Sequence, residues 1–242
     1  MMLQSRALAQ DVSLKQYPEL AGKRVLVTGA ERRAGSSIAR AFARQQARLI
    51  LQAARLNGGP GISGTSVRVF QCRPRSPAEI ERLADAASTA HAGLDIAVGV
   101  TALPAGWREM LAEDSDRPVI DALRLPFHLA GRIADRMRMK NIRGTLVTVA
   151  MLPAPGDRGD IGRMLLRAGL MDLVQRQAEE FASAGIRAYG IAAEPLIANA
   201  WSRDAGDGPG IARTGRGRAI AEVALQLASD QARFLSGQTL TV

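Results

Sequence analysis

The sequence is poor in the residues that build disulfides and metal sites. Its 242 residues include one cysteine, Cys72, and two histidines, His91 and His128. A single cysteine excludes an intrachain disulfide, and so few thiols and imidazoles argue against a metal site. No apolar run approaches the roughly 18 residues that span a membrane. Residues 1–17 also lack the apolar core of a signal peptide. We therefore expect no metal, no membrane partner and a cytoplasmic location.

Aromatic residues and lysine are scarce too, whereas arginine is abundant. Aromatic residues make up 4% of the chain, and its net charge of +9 comes almost entirely from arginine. Such a charge attracts anions in general, among them nucleic acid, nucleotide phosphates and acyl-CoA. The arginines are scattered, however, and no compact basic run carries interleaved aromatic residues that could stack on bases. The composition argues against a nucleic-acid partner and leaves two alternatives, solvated arginines or a small anionic ligand.

Short apolar segments alternate with amphipathic ones along the chain. The pattern predicts strands at residues 24–28, 48–52, 67–71, 94–100, 144–150, 187–192 and 238–242, and helices at 36–46, 77–90, 118–139, 161–184 and 218–228. This alternation predicts an α/β fold, a single-domain, Rossmann-like, doubly wound parallel sheet of about seven strands with helices on both faces. We expect a polar lead-in at residues 1–19, the domain at 20–242, and a mobile loop at the glycine- and arginine-rich residues 199–217.

A glycine-rich turn follows the first predicted strand. It reads Thr28-Gly29-Ala30-Glu31-Arg32-Arg33-Ala34-Gly35. Glycines in such a turn let the backbone approach a pyrophosphate, and the N-terminus of the next helix supplies free N–H groups and partial positive charge. No acidic residue ends the second strand to bind a ribose 2′-hydroxyl, which argues against NAD specificity.

The turn resembles the Thr-Gly-x-x-x-Gly-x-Gly turn of the short-chain dehydrogenase/reductase family, with Arg33 in place of the middle glycine. A variant with arginine at this position is typical of the NADPH-dependent pteridine-reductase branch. Residues 20–44, 94–102, 144–151, 161–195 and 234–242 resemble successive segments of the same family. Arg55 stands where NADP-preferring relatives carry an arginine for the 2′-phosphate. The resemblance implies NADP(H) binding through Gly29, Arg33, Gly35 and Arg55; the alternative is a vestigial turn that binds no cofactor.

The same resemblance places unexpected residues at the catalytic positions. The family uses a tyrosine hydroxyl for proton transfer, a lysine one helical turn later that lowers its pKa, and a serine that orients the substrate carbonyl. Met151 occupies the serine position, Arg163 the tyrosine position and Arg167 the lysine position. Neither tyrosine of the chain, Tyr17 or Tyr189, has a lysine four residues later. Because arginine stays protonated, it cannot replace the tyrosine. We therefore predict no catalytic residues and no activity of the chain alone.

Arg163 and Arg167 lie four residues apart and share a helix face. They can bind the carboxylate or phosphate of a ligand together, or they can be bound by a carboxylate of the protein or lie at a subunit contact. Where relatives have a Pro-Gly pair after the sixth strand, this chain has Ala193-Glu194-Pro195.

Three functions remain open at this point. The first is a non-catalytic subunit that completes a hetero-oligomer, expected to be a tetramer, with a catalytically complete homologue acting on an acyl-CoA or another anionic hydroxy or keto substrate. It follows from the resemblance, because the family pairs the helices that correspond to residues 118–139 and 161–184 between subunits. The second is an NADP(H)-dependent oxidoreductase with an atypical active site. The third is an NADP(H)-binding regulator without turnover.

Overall fold

Seven strands form one parallel sheet in the order β3-β2-β1-β4-β5-β6-β7. The computed structural model describes residues 14–55, 62, 66–112, 116–154, 159–194 and 211–242. The strands are β1 (Arg24–Thr28), β2 (Arg48–Ala53), β3 (Val67–Gln71), β4 (Ile96–Ala102), β5 (Thr145–Met151), β6 (Arg187–Ala193) and β7 (Thr239–Thr241). The helices are α1 (Arg33–Arg44), α2 (Pro77–Ala90), α3 (Trp107–Ala112), α4 (Arg117–Met139), α5 (Gly159–Phe181) and α6 (Ile211–Ala228).

The sheet is covered by helices on both faces, as the alternating pattern predicts. Side chains of successive residues in a strand point to opposite faces. Val25 and Val27 of β1 accordingly lie in a core with α1 and α6, whereas Leu26 lies in a core with α2 and α4. The α/β, doubly wound class with seven strands is therefore confirmed. Because all strands are parallel, their carboxyl ends share one edge of the sheet, and the strand order reverses between β1 and β4, which is where ligands bind in such sheets.

One part of the loop prediction is wrong. Helix α6 begins at Ile211, so residues 211–217 are helical, and residues 199–210 of the predicted loop lie outside the described residues. The glycine that suggested a loop has a packing role instead. A Cβ atom at Gly217 would lie 2.6 Å from Oγ of Ser37 in α1. The glycine thus allows the two helices to approach each other closely.

The segment expected as a lead-in contributes to the core within its described part. Leu14 and Tyr17 are buried together with side chains of α1 and α6. The side chain of Gln45 is also buried, and its Oε1 accepts a hydrogen bond from the Tyr17 N–H at 2.8 Å. Its Nε2 donates to the Lys15 carbonyl at 2.9 Å. Gln45 therefore holds this segment against the end of α1 that lies away from the glycine turn.

A proline inside α4 is matched by a threonine at the end of β4. Pro126 has no N–H, so the Ala122 carbonyl four residues earlier loses its helical donor. The hydroxyl of Thr101 donates to that carbonyl at 2.5 Å. This hydrogen bond satisfies the carbonyl and fixes α4 against the carboxyl edge of the sheet.

Candidate functional site

The glycine turn between β1 and α1 is sterically restricted to glycine at two positions. Gly29 has a φ of +67°, and a Cβ atom there would lie 2.7 Å from the Val100 carbonyl oxygen of β4. A Cβ atom at Gly35 would lie 2.3 Å from the carbonyl oxygen of Gly29. Both values are below any normal contact, so the backbone of the turn folds back on the first turn of α1 in a way that only glycine permits.

The first turn of α1 presents free backbone donors beside this turn. The helix begins at Arg33, and Arg32 at the N-cap makes no side-chain capping bond. The N–H groups of Arg33, Ala34 and Gly35 therefore have no acceptor within the helix. Together with the helix dipole, these donors suit an anionic group.

Arg33 and Arg55, both singled out in the sequence, lie exposed at the same edge of the sheet. Arg33 opens α1 next to the end of β1, and Arg55 follows β2, the neighbouring strand. Arg73, which the sequence reasoning did not select, is exposed just after β3. Within the described ranges none of these three guanidinium groups has an ion-pair partner. Glu31 brings one negative charge to the turn, where its carboxylate accepts the Ala54 N–H at 3.3 Å.

A buried glutamine links the turn to the next two strands. Gln52 of β2 is 4% exposed. Its Oε1 accepts the Gly29 N–H at 3.1 Å, and its Nε2 donates to the Cys72 carbonyl at 2.6 Å. Sequence reasoning missed this residue, although a polar residue at the end of the apolar run Arg48–Ala53 was a signal that it has buried partners.

Two of the three positions that the resemblance assigns to catalysis belong to an ion cluster. Met151 is buried at the carboxyl end of β5, and Arg163 and Arg167 lie one turn apart on α5. Glu194 directly follows β6 and binds both arginines, with 2.5 Å from Oε2 to Nη2 of Arg163 and 3.5 Å from Oε1 to Nη1 of Arg167. Arg167 also donates to Oγ1 of Thr241 at 3.1 Å. The sequence left open whether a ligand, a carboxylate of the protein or a neighbouring subunit binds the arginine pair. In the structure, a carboxylate of the protein binds both arginines.

Strand pairing explains why Glu194 reaches this place. Met151 pairs with Ala193 in the register of β5 and β6, so the next residue of β6 emerges beside the end of β5. The Glu194 N–H donates to the Val242 carbonyl at 2.8 Å, which fixes its backbone. Neighbouring parallel strands end at the same edge of the sheet. Arg163 lies in the first turns of α5, the helix that follows β5, and Glu194 follows β6, so this rule could have linked the two residues from the sequence.

Both tyrosines of the chain are buried in the core. Tyr189 is fully buried in β6, and its hydroxyl donates to the Ala232 carbonyl at 2.7 Å. Tyr17 precedes β1 and lies in the core at the opposite end of the sheet. Burial raises the pKa of both phenols above the ordinary tyrosine value, the opposite of the lowered pKa that the family's catalytic tyrosine needs. Among the described residues there is also no cluster of three or more potential metal ligands, and none of the described helices could cross a membrane.

Comparisons with known proteins agree with this geometry. A family model described as "Enoyl-(Acyl carrier protein) reductase" matches residues 29–242. The chain is 29% identical over 235 residues to the 3-oxoacyl-[acyl-carrier-protein] reductase FabG of Escherichia coli K12, covering 91% of this chain and 96% of that protein. It is 25% identical over 247 residues to Short-chain dehydrogenase reductase 3b of Arabidopsis thaliana, covering 92% and 95%.

Solved structures show the same fold. A short-chain dehydrogenase from Burkholderia cenocepacia in complex with NADP has 19% identity and a TM-score of 0.71, covering 92% of this chain and 97% of that chain. A hydroxysteroid dehydrogenase from Escherichia coli has 24% identity and the same TM-score, 0.71, covering 92% and 95%. At these identities the likeness concerns the fold alone.

Proposed function

Since the chain belongs to the short-chain dehydrogenase/reductase superfamily, we propose that it is a non-catalytic subunit of a hetero-oligomeric dehydrogenase and that it binds NADP(H). The ion cluster of Arg163, Arg167 and Glu194 is the observation that carries the proposal. Superfamily catalysis needs a neutral acid whose proton can leave, whereas this position holds guanidinium groups that stay protonated. The Glu194 carboxylate pairs with both of them, and neither a guanidinium nor an ionised carboxylate can replace the neutral tyrosine hydroxyl.

Four features of the turn and of the neighbouring end of β2 support NADP(H) as the cofactor. The glycines at positions 29 and 35 allow a close approach of phosphate, and the first turn of α1 offers free N–H donors. Arg33 and Arg55 add two exposed positive charges beside it. The end of β2 carries no acidic residue that would bind an unphosphorylated ribose. The NADP complex of a structural relative fits the same reading.

The cofactor preference makes a specific prediction. Replacing Arg55 or Arg33 by Ala should weaken NADPH binding about tenfold each, because a charge-assisted hydrogen bond to phosphate contributes about 1.4 kcal/mol or more. NADH binding should change less than about twofold, since NADH has no 2′-phosphate. Isothermal titration of both nucleotides measures the two effects. Arg44→Ala is the matched control, because Arg44 is also exposed but lies in the last turn of α1. Equal losses for NADPH and NADH, or a loss with Arg44→Ala, would show a general charge effect.

A stripe of apolar side chains supports the subunit role. Ile120 and Phe127 of α4 and Ile161, Met164 and Met171 of α5 are all exposed. On α5 they follow spacings of three and seven residues, as on helices that pair with other helices. An apolar surface of this kind indicates an interaction site. We propose that the corresponding helices of a catalytically complete homologue cover it, in a tetramer. The net charge of +9 and relatives named for acyl-carrier substrates support an anionic substrate such as an acyl-CoA for that complex.

The experiment that tests the subunit role is an affinity purification of the tagged chain from its native host, with partners identified by mass spectrometry. We expect a stoichiometric homologue that carries the serine, tyrosine and lysine. The double variant Phe127→Glu/Met164→Glu should lose this partner, because charges on the stripe oppose burial. Met139→Glu should retain it, since Met139 is exposed but lies about a third of a turn away from Phe127.

The same purification can also contradict the subunit role. Recovery of a homo-oligomer alone would contradict the subunit role. NADPH oxidation by that homo-oligomer would then support an oxidoreductase with an atypical active site, and binding without oxidation would support a regulator.

A further inference from the structure

The side chain of Gln52 joins the glycine turn to the end of β3 through two hydrogen bonds. Its Oε1 is 3.1 Å from the Gly29 nitrogen, and its Nε2 is 2.6 Å from the Cys72 carbonyl oxygen. The backbone carbonyl of the same residue accepts the Ala30 N–H at 3.0 Å. One residue of β2 thus holds the first two N–H groups of the turn and ties them to the end of β3.

A glutamine at this place needs a reason, because a central strand buried on both faces favours apolar residues. Gln52 is 4% exposed, and its neighbours Leu49, Ile50 and Leu51 are aliphatic and buried. A buried amide without partners would cost stability, whereas this one has both ends satisfied. Its polar groups point at the backbone of the two neighbouring strands, so the side chain acts on backbone geometry.

The geometry affected is that of the phosphate-facing turn. Gly29 adopts a left-handed φ of +67°, a conformation in which glycine has little steric guidance of its own. The hydrogen bond from Gly29 N–H to Gln52 fixes the rotation of the peptide that leads into the turn. The N–H groups of the first turn of α1 then have one orientation before a ligand binds. The loss of conformational entropy on binding is therefore smaller.

We infer that Gln52 is a positioning residue that holds the Gly29 turn in its phosphate-binding conformation. The inference rests on the proposed binding of NADP(H). Gln52 does not touch the ligand in this scheme. It acts through Gly29 and Ala30, and its loss should reduce affinity for NADPH and NADH alike, unlike the loss of Arg55.

The chain offers a matched control for this inference. Gln45 is 3% exposed, and it also joins two backbone groups, the Tyr17 N–H at 2.8 Å and the Lys15 carbonyl at 2.9 Å. It lies at the opposite end of α1 from the glycine turn. Both Gln52→Leu and Gln45→Leu remove a buried pair of hydrogen bonds, so both should lower the melting temperature by roughly 5 °C.

The test combines nucleotide titration with hydrogen exchange of the full-length chain. We expect Gln52→Leu to raise the Kd for NADPH and NADH at least tenfold and to speed amide exchange in the peptide that covers residues 26–35 of the ligand-free protein. Gln45→Leu should leave the Kd within about twofold and leave that peptide unchanged. Gln52→Met, which removes the same hydrogen bonds with a smaller change of shape, should repeat the result if the leucine variant does not fold.

The outcomes separate the inference from the proposed function. If the wild type binds NADPH and Gln52→Leu and Gln52→Met bind it equally well, the inference is wrong and the proposed cofactor stands. If the wild type binds neither nucleotide, the proposed cofactor is wrong. The rate of amide hydrogen exchange in residues 26–35 then decides alone whether Gln52 holds the turn. Equal effects of the Gln45 and Gln52 variants on affinity would also overturn the inference.

Discussion

Replacing Gly35 by Ala should destabilise the protein by about 3 kcal/mol or more and abolish nucleotide binding. The new Cβ atom would lie 2.3 Å from the Gly29 carbonyl oxygen, 2.9 Å from the Gly29 carbonyl carbon and 3.1 Å from the Ala30 Cα. All three are backbone atoms, so no side-chain rotation can relieve the contact. The turn must open, and α1 must then move away from β1. Denaturant unfolding measures the stability, and titration with NADPH measures the binding.

Gly131→Ala is the control for this experiment. Gly131 lies inside α4, and a Cβ atom there would meet nothing within 4 Å. Alanine is favoured over glycine in a helix by up to about 1 kcal/mol, so this variant should be as stable as the wild type or slightly more stable. If Gly35→Ala stays within about 1 kcal/mol of the wild type, the turn is looser than the structure indicates, and the proposed phosphate site loses its steric basis.

The position of the turn between β1 and α1 could be predicted from the sequence for a physical reason. The spacing of Gly29 and Gly35 after an apolar strand reflects backbone constraints that act within eight residues. Strands such as β1 and β5 were predicted within one or two residues for the same reason, because apolar runs in a buried parallel sheet are continuous. Local constraints of this kind can be recognised directly in the amino-acid sequence.

Contacts between distant segments were harder to predict. The partners of Gln52 are 20 and 23 residues away, and Glu194 is 31 residues from Arg163. The sequence shows that such residues are unusual for their positions but does not show what they bind. Helix α3 was missed because its six residues are too few to display a helical period, and α6 was predicted too short because its glycines are typical of loops.

The two halves of the carboxyl edge of the sheet differ in whether their charged groups are available to a ligand. The half formed by β1 and β2 has the turn restricted to glycine and the N-terminus of α1, and its exposed Arg33 and Arg55 have no ion-pair partner among the described residues. In the half formed by β5 and β6, the charged groups bind one another. A protein that used its cofactor for chemistry would need both halves. Under the proposed function, only the first half binds a ligand, and the nucleotide stabilises the fold or the assembly.

The ion cluster yields the second large effect. Glu194→Gln should destabilise the protein by about 2 kcal/mol, because the main loss is a charge-assisted hydrogen bond to Arg163, which is left largely buried without a counter-charge. The side chains of Glu194 and Arg163 are 28% and 21% exposed, so water screens part of the effect and the larger cost of a fully buried pair does not apply. Urea unfolding at pH 7 measures the free energy of unfolding.

A double-mutant cycle distinguishes the two arginines. Arg163→Met combined with Glu194→Gln should be more stable than the two single changes predict together, with a coupling energy of about 1–2 kcal/mol. Arg167→Met combined with Glu194→Gln should show about 0.5 kcal/mol or less, because Arg167 is 45% exposed and its contact measures 3.5 Å. The Arg167 coupling should also fall more steeply with added salt. A larger coupling to Arg167 than to Arg163 would mean that Glu194 does not hold Arg163, and the arginine pair would again be open to an anionic ligand.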